Sequence, residues 1–244
     1  MISVIIPTMQ KRIDILENLI KTLNSDDSVG EIIIINNAIK PLEFSYNKMR
    51  IITPDDNIYV NPAWNLGFKE AKYDTVGILN DDIIIADNLC TSILATFPKD
   101  AGILGYSKNA VIPIDNTAQK PETAEIKLTT ADFIDFGFGI AMFLHKTSYP
   151  IIPEELKIMY GDCYIFDELK KKGYQNYTIE GQKILHFGSL TSSSKNLSPV
   201  IKNDKKAYKK LTTKWYENIF SIKEYSDCVK MRILGANLRL YNKK

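Results

Sequence analysis

The chain is poor in cysteine and histidine and has no long apolar run. It contains 3 cysteines and 2 histidines in 244 residues. Cys90, Cys163 and Cys228 are odd in number and too widely spaced for a disulfide framework or a zinc site, which favours a reducing compartment. No segment approaches the ~20 apolar residues that cross a bilayer. A Gly-x-Gly-x-x-Gly turn is also missing, so the chain lacks the fingerprint of a dinucleotide oxidoreductase.

Hydrophobic residues make up 45% of the chain. A chain of this length and composition can bury a full core as one domain with an appendage. The first residues, Met1 to Pro7, lack a basic leader and enter a strand-like run directly, so we expect no signal peptide. These features predict a cytoplasmic protein.

The net charge of +2 hides an asymmetry between the two ends of the chain. Residues 201–244 contain 12 Lys or Arg against 4 Asp or Glu, whereas residues 1–200 contain 19 against 25. A basic extension on a mildly acidic body suggests an anionic partner, such as the inner face of the cell membrane. We expect no nucleic-acid partner. The alternatives are a solvated helical face and packing on the body or on a second copy in a homodimer.

Short apolar runs alternate with helical periodicity through residues 1–105. The runs predict buried strands, and apolar residues spaced three or four apart predict the helices between them. The predicted strands are 3–6, 31–35, 49–52 and 75–79, and the predicted helices are about 13–23, 61–72 and 88–97. Such alternation indicates an α/β fold with a doubly wound, mostly parallel sheet and helices on both faces. Ligands of these sheets bind beyond the carboxyl ends of the strands.

The pattern changes in the second half, which we assign to residues 106–200 of a domain spanning 1–200. Its predicted strands are 124–129, 132–145 and 183–187, and its predicted helix is 161–172, ended by Gly173. Residues 188–198 form a polar loop. Residues 201–244 are predicted to be a basic helical C-terminal extension, with helices at 202–219 and 222–240.

Asn80, Asp81 and Asp82 directly follow the predicted strand 75–79. Ionised carboxylates are costly inside a core, so the strand must deliver them to an edge, a cation or a partner. A strand that ends in two aspartates can hold a divalent metal, which in turn holds phosphates. A β-turn is the alternative, since Asn and Asp are common turn residues. Thr8 and Asn36 also follow strands, and these three strand ends together predict one polar crevice.

The order and spacing of several motifs resemble those of GT-A glycosyltransferases, in particular family 2. The matching segments are 3–8, 31–37, 61–67, 79–82, 161–162, 172–174 and 186–189. The resemblance spans about residues 2–190. It implies a GT-A fold and a metal-dependent, inverting, hexosyltransferase-type enzyme. Such an enzyme moves a sugar from a nucleotide-diphosphate donor to a hydroxyl of a glycan or lipid-linked acceptor, as in polysaccharide biosynthesis.

The resemblance also implies residues that contact the donor. Pro7, Thr8 and Asn36 would hold the base and ribose, although an aspartate is usual where Asn36 stands. Asparagine keeps a carbonyl acceptor and loses the charge, which leaves the preferred base open. Asn57 and Asn65 match positions near the nucleotide, with capping or turn roles as the alternative.

The metal site follows from the same resemblance. Asn80 would contact the donor, Asp81 would approach the ribose and the ion, and Asp82 would ligate Mn²⁺ or Mg²⁺. His186 would complete the metal shell or contact the diphosphate, and a purely structural hydrogen bond is the alternative. An ion held there bridges the phosphates and neutralises the charge on the departing nucleoside diphosphate.

Asp162 is the candidate catalytic base. The acceptor hydroxyl must lose its proton as it attacks the anomeric carbon, and one carboxylate suffices for an inverting reaction. Family members commonly have Glu-Asp here, and this chain has Gly161 before the aspartate. Capping of the following helix is the alternative. Phe136 and Phe138 could stack on an acceptor sugar or pack in the core.

Two other classes compete with this interpretation. A sugar-phosphate nucleotidyltransferase needs a glycine-rich loop after the first strand, and Met9 to Arg12 contains no glycine. A non-catalytic or degenerate nucleotide-sugar-binding module would keep the crevice without turnover.

Overall fold

The structure is a computed structural model that describes residues 1–114, 119–188, 197–213, 220–224, 228–233 and 236–241. Beyond residue 213, side chains are described only at Ala236 and Leu238. The chain divides into two compact units, Met1–Asp204 and Lys205–Lys244. Among the described helices, none combines the length and the hydropathy that crossing a membrane requires.

The elements of the first half alternate as the sequence predicts. They are β1 (Ile2–Thr8), α1 (Ile13–Ser25), β2 (Val29–Asn36), β3 (Met49–Ile52), α2 (Val60–Glu70), β4 (Thr75–Leu79), β5 (Ile83–Ile84), α3 (Leu89–Thr96) and β6 (Ala101–Tyr106). The predicted strands 49–52 and 75–79 are confirmed with the same bounds. The strand β6 was not predicted.

The later elements are shorter and less regular. They are β7 (Val111–Pro113), β8 (Lys127–Ala131), β9 (Ala141–His145), α4 (Gly161–Lys171), β10 (Gln175–Glu180), β11 (Ile184–His186), α5 (Ser198–Thr212), β12 (Phe220–Glu224), β13 (Cys228–Ile233) and β14 (Ala236–Tyr241). The helix predicted at 161–172 is confirmed, and Gly173 has the expected positive φ of 87°.

Eight strands form the main sheet, in the order β3-β2-β1-β4-β9-β6-β10-β8. The pairs β1–β2, β1–β4, β2–β3 and β6–β10 are parallel. The strand β9 runs antiparallel to both β4 and β6. The predicted α/β fold with a mostly parallel, doubly wound sheet is therefore confirmed.

The residues of β1 alternate between two helices, because successive side chains of a strand point to opposite faces. Val4 and Ile6 belong to the same buried cluster as Leu16 and Leu19 of α1. On the other face, a Cβ on Gly67 of α2 would lie 2.4 Å from the side chain of Ile5. Helices therefore cover both faces of the sheet, and β1 is buried on each side.

The parallel register brings the carboxyl ends of the central strands to one edge. Thr8 at the end of β1 pairs with Asn36 at the end of β2, and Ile5 pairs with Ile78 of β4. A small second sheet, β5-β11-β7, lies beyond that edge. Its pairing places His186 opposite Ile83.

Two secondary-structure predictions are wrong. The strand predicted at 132–145 is regular only in β9, because Gly137 has a left-handed φ of 95° and a 3-10 turn follows at Phe138–Ile140. The helix predicted at 222–240 is instead an antiparallel sheet in the order β12-β13-β14. Val229, Met231 and Ile233 alternate with charged residues. This period of two also produces the i, i+4 spacing that suggested a helix.

The predicted helix 202–219 begins earlier, at Ser198, and α5 ends at Thr212. Residues 214–219 of that prediction lie outside the described residues, as do 189–196 of the predicted polar loop. Cys90 and Cys163 are free thiols.

Candidate active site

A cavity of about 460 Å³ opens at the carboxyl edge of the sheet. Residues of the first half of the chain that line it are Pro7, Thr8, Met9, Asn37, Val60, Trp64, Asn80, Asp81 and Asp82. Residues of the second half that line it are Ile134, Asp135, Phe136, Gly137, Gly139, Ile140, Ile158, Met159, Tyr160, Asp162 and His186. The structure therefore brings the predicted metal residues and the predicted base to one cavity.

A side-chain hydrogen bond links Asp81 to Thr8 at the end of β1. Thr8 Oγ1 donates a hydrogen bond of 2.6 Å to Asp81 Oδ2, and it accepts one of 2.8 Å from the backbone N–H of Gln10. Burial raises the pKa of Asp81 to about 6, and the neighbouring charge of Asp82 adds to the rise while the Thr8 hydrogen bond opposes it. This carboxylate is thus costly to ionise until a cation or a donor group compensates its charge.

Asp82 and His186 face each other across the small sheet. The backbone N–H of Phe187 donates to the carbonyl of Asp82 at 3.0 Å, which holds β11 beside the motif. Nε2 of His186 lies 3.3 Å from Oδ1 of Asp82. That oxygen is buried and accepts no hydrogen bond from any described residue. The site thus holds a buried carboxylate oxygen whose charge the described hydrogen bonds leave uncompensated.

This arrangement fits a divalent cation. Ligands at 2.0–2.1 Å from an octahedral ion are about 3 Å apart when adjacent, close to the separation of Oδ1 and Nε2. No group of three or more His, Cys, Asp or Glu side chains converges within the described part of the chain. An ion here would therefore complete its shell with donor phosphate and water oxygens, which is ordinary for Mg²⁺ and Mn²⁺.

Asp162 lies in the first turn of α4 and lines the same cavity as the predicted metal residues. Its Oδ1 accepts a 2.8 Å hydrogen bond from the backbone N–H of Cys163. The capping alternative is wrong, because Tyr160 occupies the N-cap position of α4 and no described side chain caps this helix. Its Oδ2 lies against Gly139, where a Cβ would come within 2.7 Å. Burial raises the pKa of Asp162, and the hydrogen bonds from Cys163 oppose that rise. The side chain opens on the cavity, where a desolvated carboxylate is an effective proton acceptor.

The glycine before Asp162 has a steric cause in this chain. A Cβ on Gly161 would lie 2.2 Å from Oδ1 of Asn61 and 2.8 Å from the ring of Trp64. Both neighbours belong to α2 and are buried. The glutamate that is common at this position in the resembled family therefore has no room here.

Three of the asparagines predicted to contact the donor do not line the cavity. Asn36 is buried, with Oδ1 accepting from Gln10 Nε2 and Nδ2 donating to the Lys40 carbonyl. Asn57 accepts the backbone N–H of Tyr59. Asn65 bonds to the backbone of Ile152 and to the Tyr149 hydroxyl. Their side chains fix loops next to the cavity.

Phe136 and Phe138, the two aromatic candidates, lie in different environments. Phe138 has no exposed surface and packs edge-on against Phe166 with ring centroids 5.5 Å apart. Phe136 lines the cavity mouth and is 71% exposed. Asp135 and residues 158–160 also line the cavity, but no sequence motif marks them as site residues.

No protein-family model matches this chain, and no curated protein matches it. Solved structures do match. S. aureus TarS 1–349 in complex with UDP-GlcNAc aligns with a TM-score of 0.55 and 14% identity over 88% of this chain and 68% of that one. GalNAc-T7 with UDP, GalNAc and Mn²⁺ aligns with a TM-score of 0.62 and 11% identity over 89% of this chain and 49% of that one.

These similar structures are GT-A glycosyltransferases, and the chain has their fold. The fold expected from the sequence resemblance is thus confirmed. The chain spans about half the length of the GalNAc-T7 structure.

Proposed function

We propose that this protein is a metal-dependent, inverting glycosyltransferase that moves a hexosyl group from a nucleotide-diphosphate sugar to a hydroxyl of a glycan or lipid-linked acceptor. The observation that carries the proposal is the convergence of Asp82, His186 and Asp162 on one cavity. Leaving-group stabilisation and proton removal need groups on opposite faces of the sugar in an inverting displacement.

On the donor side, Asp82 and His186 would hold Mn²⁺ or Mg²⁺, which neutralises the charge on the departing diphosphate. Pro7, Thr8, Asn80 and Asp81 are proposed to contact the nucleoside. Asn36, Asn57 and Asn65 would act through the loops that they fix. The UDP-GlcNAc in TarS and the UDP and Mn²⁺ in GalNAc-T7 support a nucleotide-sugar donor.

On the acceptor side, Asp162 accepts the hydroxyl proton while the acceptor oxygen attacks the anomeric carbon. The bond from that carbon to the diphosphate oxygen breaks as the new glycosidic bond forms, and the configuration inverts. Burial raises the pKa of Asp162 and so makes its carboxylate a stronger base than an exposed aspartate. Phe136 at the cavity mouth offers an aromatic face to the acceptor sugar.

The basic extension is proposed to contact an anionic membrane surface from the cytoplasmic side. Lys205, Lys206, Lys209 and Lys210 of α5 are all exposed. Clustered exposed lysines are attracted to anionic lipid headgroups. Such contact would bring the enzyme to a lipid-linked acceptor.

A thermal-shift screen of nucleotide sugars, with and without Mn²⁺, tests the proposal. We expect one donor to stabilise the wild type in the presence of Mn²⁺ and Asp82→Ala to lose that stabilisation. Equal stabilisation of both proteins would contradict the metal site. Stabilisation without hydrolysis or transfer of the donor would indicate a binding module instead of an enzyme.

A further inference from the structure

The segment directly before α4 forms part of the cavity wall. Residues 157–160, here termed the wall loop, contribute Ile158, Met159 and Tyr160 to the lining. Tyr160 has a left-handed backbone with φ of 65°. A non-glycine residue keeps that conformation only where its surroundings impose it. The contacts that impose this conformation on Tyr160 therefore also fix the start of α4 and the position of Asp162.

Asp204 holds the wall loop through its backbone N–H groups. It is the last residue of the larger unit, lies on α5 and has no exposed surface. Oδ1 accepts from the N–H of Lys157 at 3.0 Å. Oδ2 accepts from the N–H of Ile158 at 2.7 Å and from that of Met159 at 2.8 Å. Three successive amides thus converge on one carboxylate, and hydrogen bonds to an ionised acceptor are the stronger kind.

Asn61 holds the wall loop by donating hydrogen bonds to the carbonyls of that loop. Its backbone N–H donates to the carbonyl of Lys157 at 2.9 Å, and its Nδ2 donates to that of Met159 at 3.1 Å. Asn61 belongs to α2 and is fully buried. Its Oδ1 lies against Gly161, without a hydrogen-bond partner among the described residues. The N–H groups of the wall loop therefore donate to Asp204 of α5, and its carbonyls accept from Asn61 of α2.

We propose that Asn61 and Asp204 are positioning residues that hold the wall loop so that the carboxylate of Asp162 faces the cavity. The inference rests on the proposed function for the role of Asp162. Asn61 lies on α2 and Asp204 lies on α5, so two helices from distant parts of the chain fix the segment that leads into α4 and Asp162.

Asp204→Ala tests the proposal, with Asn203→Ala as the matched control, because Asn203 is exposed on the adjacent position of α5. Two measurements are combined: amide hydrogen exchange of 157–159, and hydrolysis of the donor that the thermal-shift screen identifies. In Asp204→Ala we expect faster exchange and a kcat about 10- to 100-fold lower, with the donor KM unchanged. Asn203→Ala should match the wild type in each.

Asn61→Ala is the second variant, since it removes one hydrogen bond and keeps the backbone N–H. We expect the same pattern with a smaller loss of kcat. Faster exchange with an unchanged kcat in both variants would overturn the positioning role. So would a fall of kcat and donor affinity in proportion to the unfolded fraction seen by circular dichroism. Unchanged exchange would overturn the holding of the loop itself.

This experiment separates the inference from the proposed function. Absence of turnover in the wild type with every donor overturns the enzyme assignment, and with it the catalytic purpose of the loop. Hydrogen exchange needs no turnover, so it still decides whether Asp204 and Asn61 hold the loop.

Discussion

Gly139 lies directly against the carboxylate of Asp162, so that a Cβ on Gly139 would come within 2.7 Å of Oδ2. Gly139 precedes Ile140, whose carbonyl accepts the backbone N–H of Asn80 at 3.0 Å. The turn that touches the proposed base is thus bonded to the metal motif. Small changes in this turn should act on proton transfer before they act on the fold.

Gly139→Ala should displace the carboxylate of Asp162 while leaving the donor side intact. We expect donor affinity near that of the wild type and a kcat about 10- to 100-fold lower, because misplacement of a catalytic group costs rate before binding. Steady-state kinetics with the donor found by screening measure both values. Gly173→Ala is the control. A Cβ added there would meet no described atom within 4 Å other than its chain neighbours, and the positive φ of Gly173 should cost stability without changing kcat.

His186→Ala should weaken binding of the ion. A ligand present at 100 times its Kd stabilises the native state by about 2.7 kcal/mol, which raises Tm by about 5–10 °C in a chain of this size. We expect most of the Mn²⁺-dependent shift to disappear in His186→Ala. His145→Gln, which alters the histidine outside the cavity, should keep the shift. Retention of the full shift in His186→Ala would remove this residue from the metal site.

The pH dependence of kcat should follow the ionisation of Asp162. Because burial raises its pKa, the acid limb of kcat should lie above the usual aspartate range, and the rate should rise as pH rises through the raised pKa. Asp162→Asn should bind the donor and lose nearly all turnover. Asp132→Asn, at an exposed carboxylate, should leave the profile unchanged. Turnover of Asp162→Asn at the wild-type rate would exclude Asp162 as the base.

The same pKa shift predicts an effect on stability. The folded state disfavours ionised Asp162 relative to the unfolded chain, so the ionised group destabilises the fold above its raised pKa. This cost disappears as pH falls below the ordinary aspartate pKa. Asp162→Asn should therefore have a higher Tm than the wild type at pH 8, and the difference should shrink toward pH 4. A lower Tm at pH 8 would contradict the desolvation.

Phe136→Ala should weaken acceptor binding. Aromatic stacking contributes about 0.5–1.5 kcal/mol, which corresponds to about a 2- to 10-fold rise in acceptor KM. A panel of methyl glycosides serves as acceptors, and donor hydrolysis should not change. Phe133→Ala is a matched control, because Phe133 is 75% exposed and does not line the cavity. Equal effects of both variants would indicate a general surface effect.

Charge removal on α5 tests the membrane proposal. Each lysine near an anionic surface contributes about 1 kcal/mol, so Lys205→Ala with Lys209→Ala should weaken binding to anionic vesicles by about 30-fold. Co-sedimentation at several salt concentrations measures the change. Lys69→Ala with Lys108→Ala, at two exposed lysines of the larger unit, should have no effect. Absence of vesicle binding by the wild type would contradict the proposal.

The sequence predicted the central sheet well because local patterns determine it. Strands 49–52 and 75–79 are mainly apolar or β-branched runs, interrupted by Arg50 and Gly77, and α4 has an apolar period with Gly173 after its end. It failed at 222–240, where a period of two and a period of 3.6 place many of the same residues on one face. Strand partners there decide the structure, and no single segment contains that information.

The candidate site divides in the same way. Asp81 and Asp82 could be identified from the chain, because adjacent acids after an apolar run need compensation. The environments of Asn36 and Asn65 could not be identified, because their amides bond to side chains or backbone from other segments. Asn57 instead accepts the N–H of Tyr59, two residues along the chain, in the turn role given as its alternative. Phe136 and Phe138 look alike in the sequence, and only packing exposes one and buries the other.

The sequence by itself determined the α/β class, the strand ends that carry polar groups and the candidate identity of the metal and base residues. Local hydrophobic period and the cost of burying charge are sufficient for the class, the strand ends and the paired aspartates. The assignments of His186 and Asp162 follow from the resemblance to GT-A glycosyltransferases. The tertiary structure alone decided that His186 faces Asp82, that Gly139 adjoins Asp162 and that Asp204 holds 157–159. Each of these contacts joins segments far apart in the chain, and their proximity depends on sheet order and helix packing.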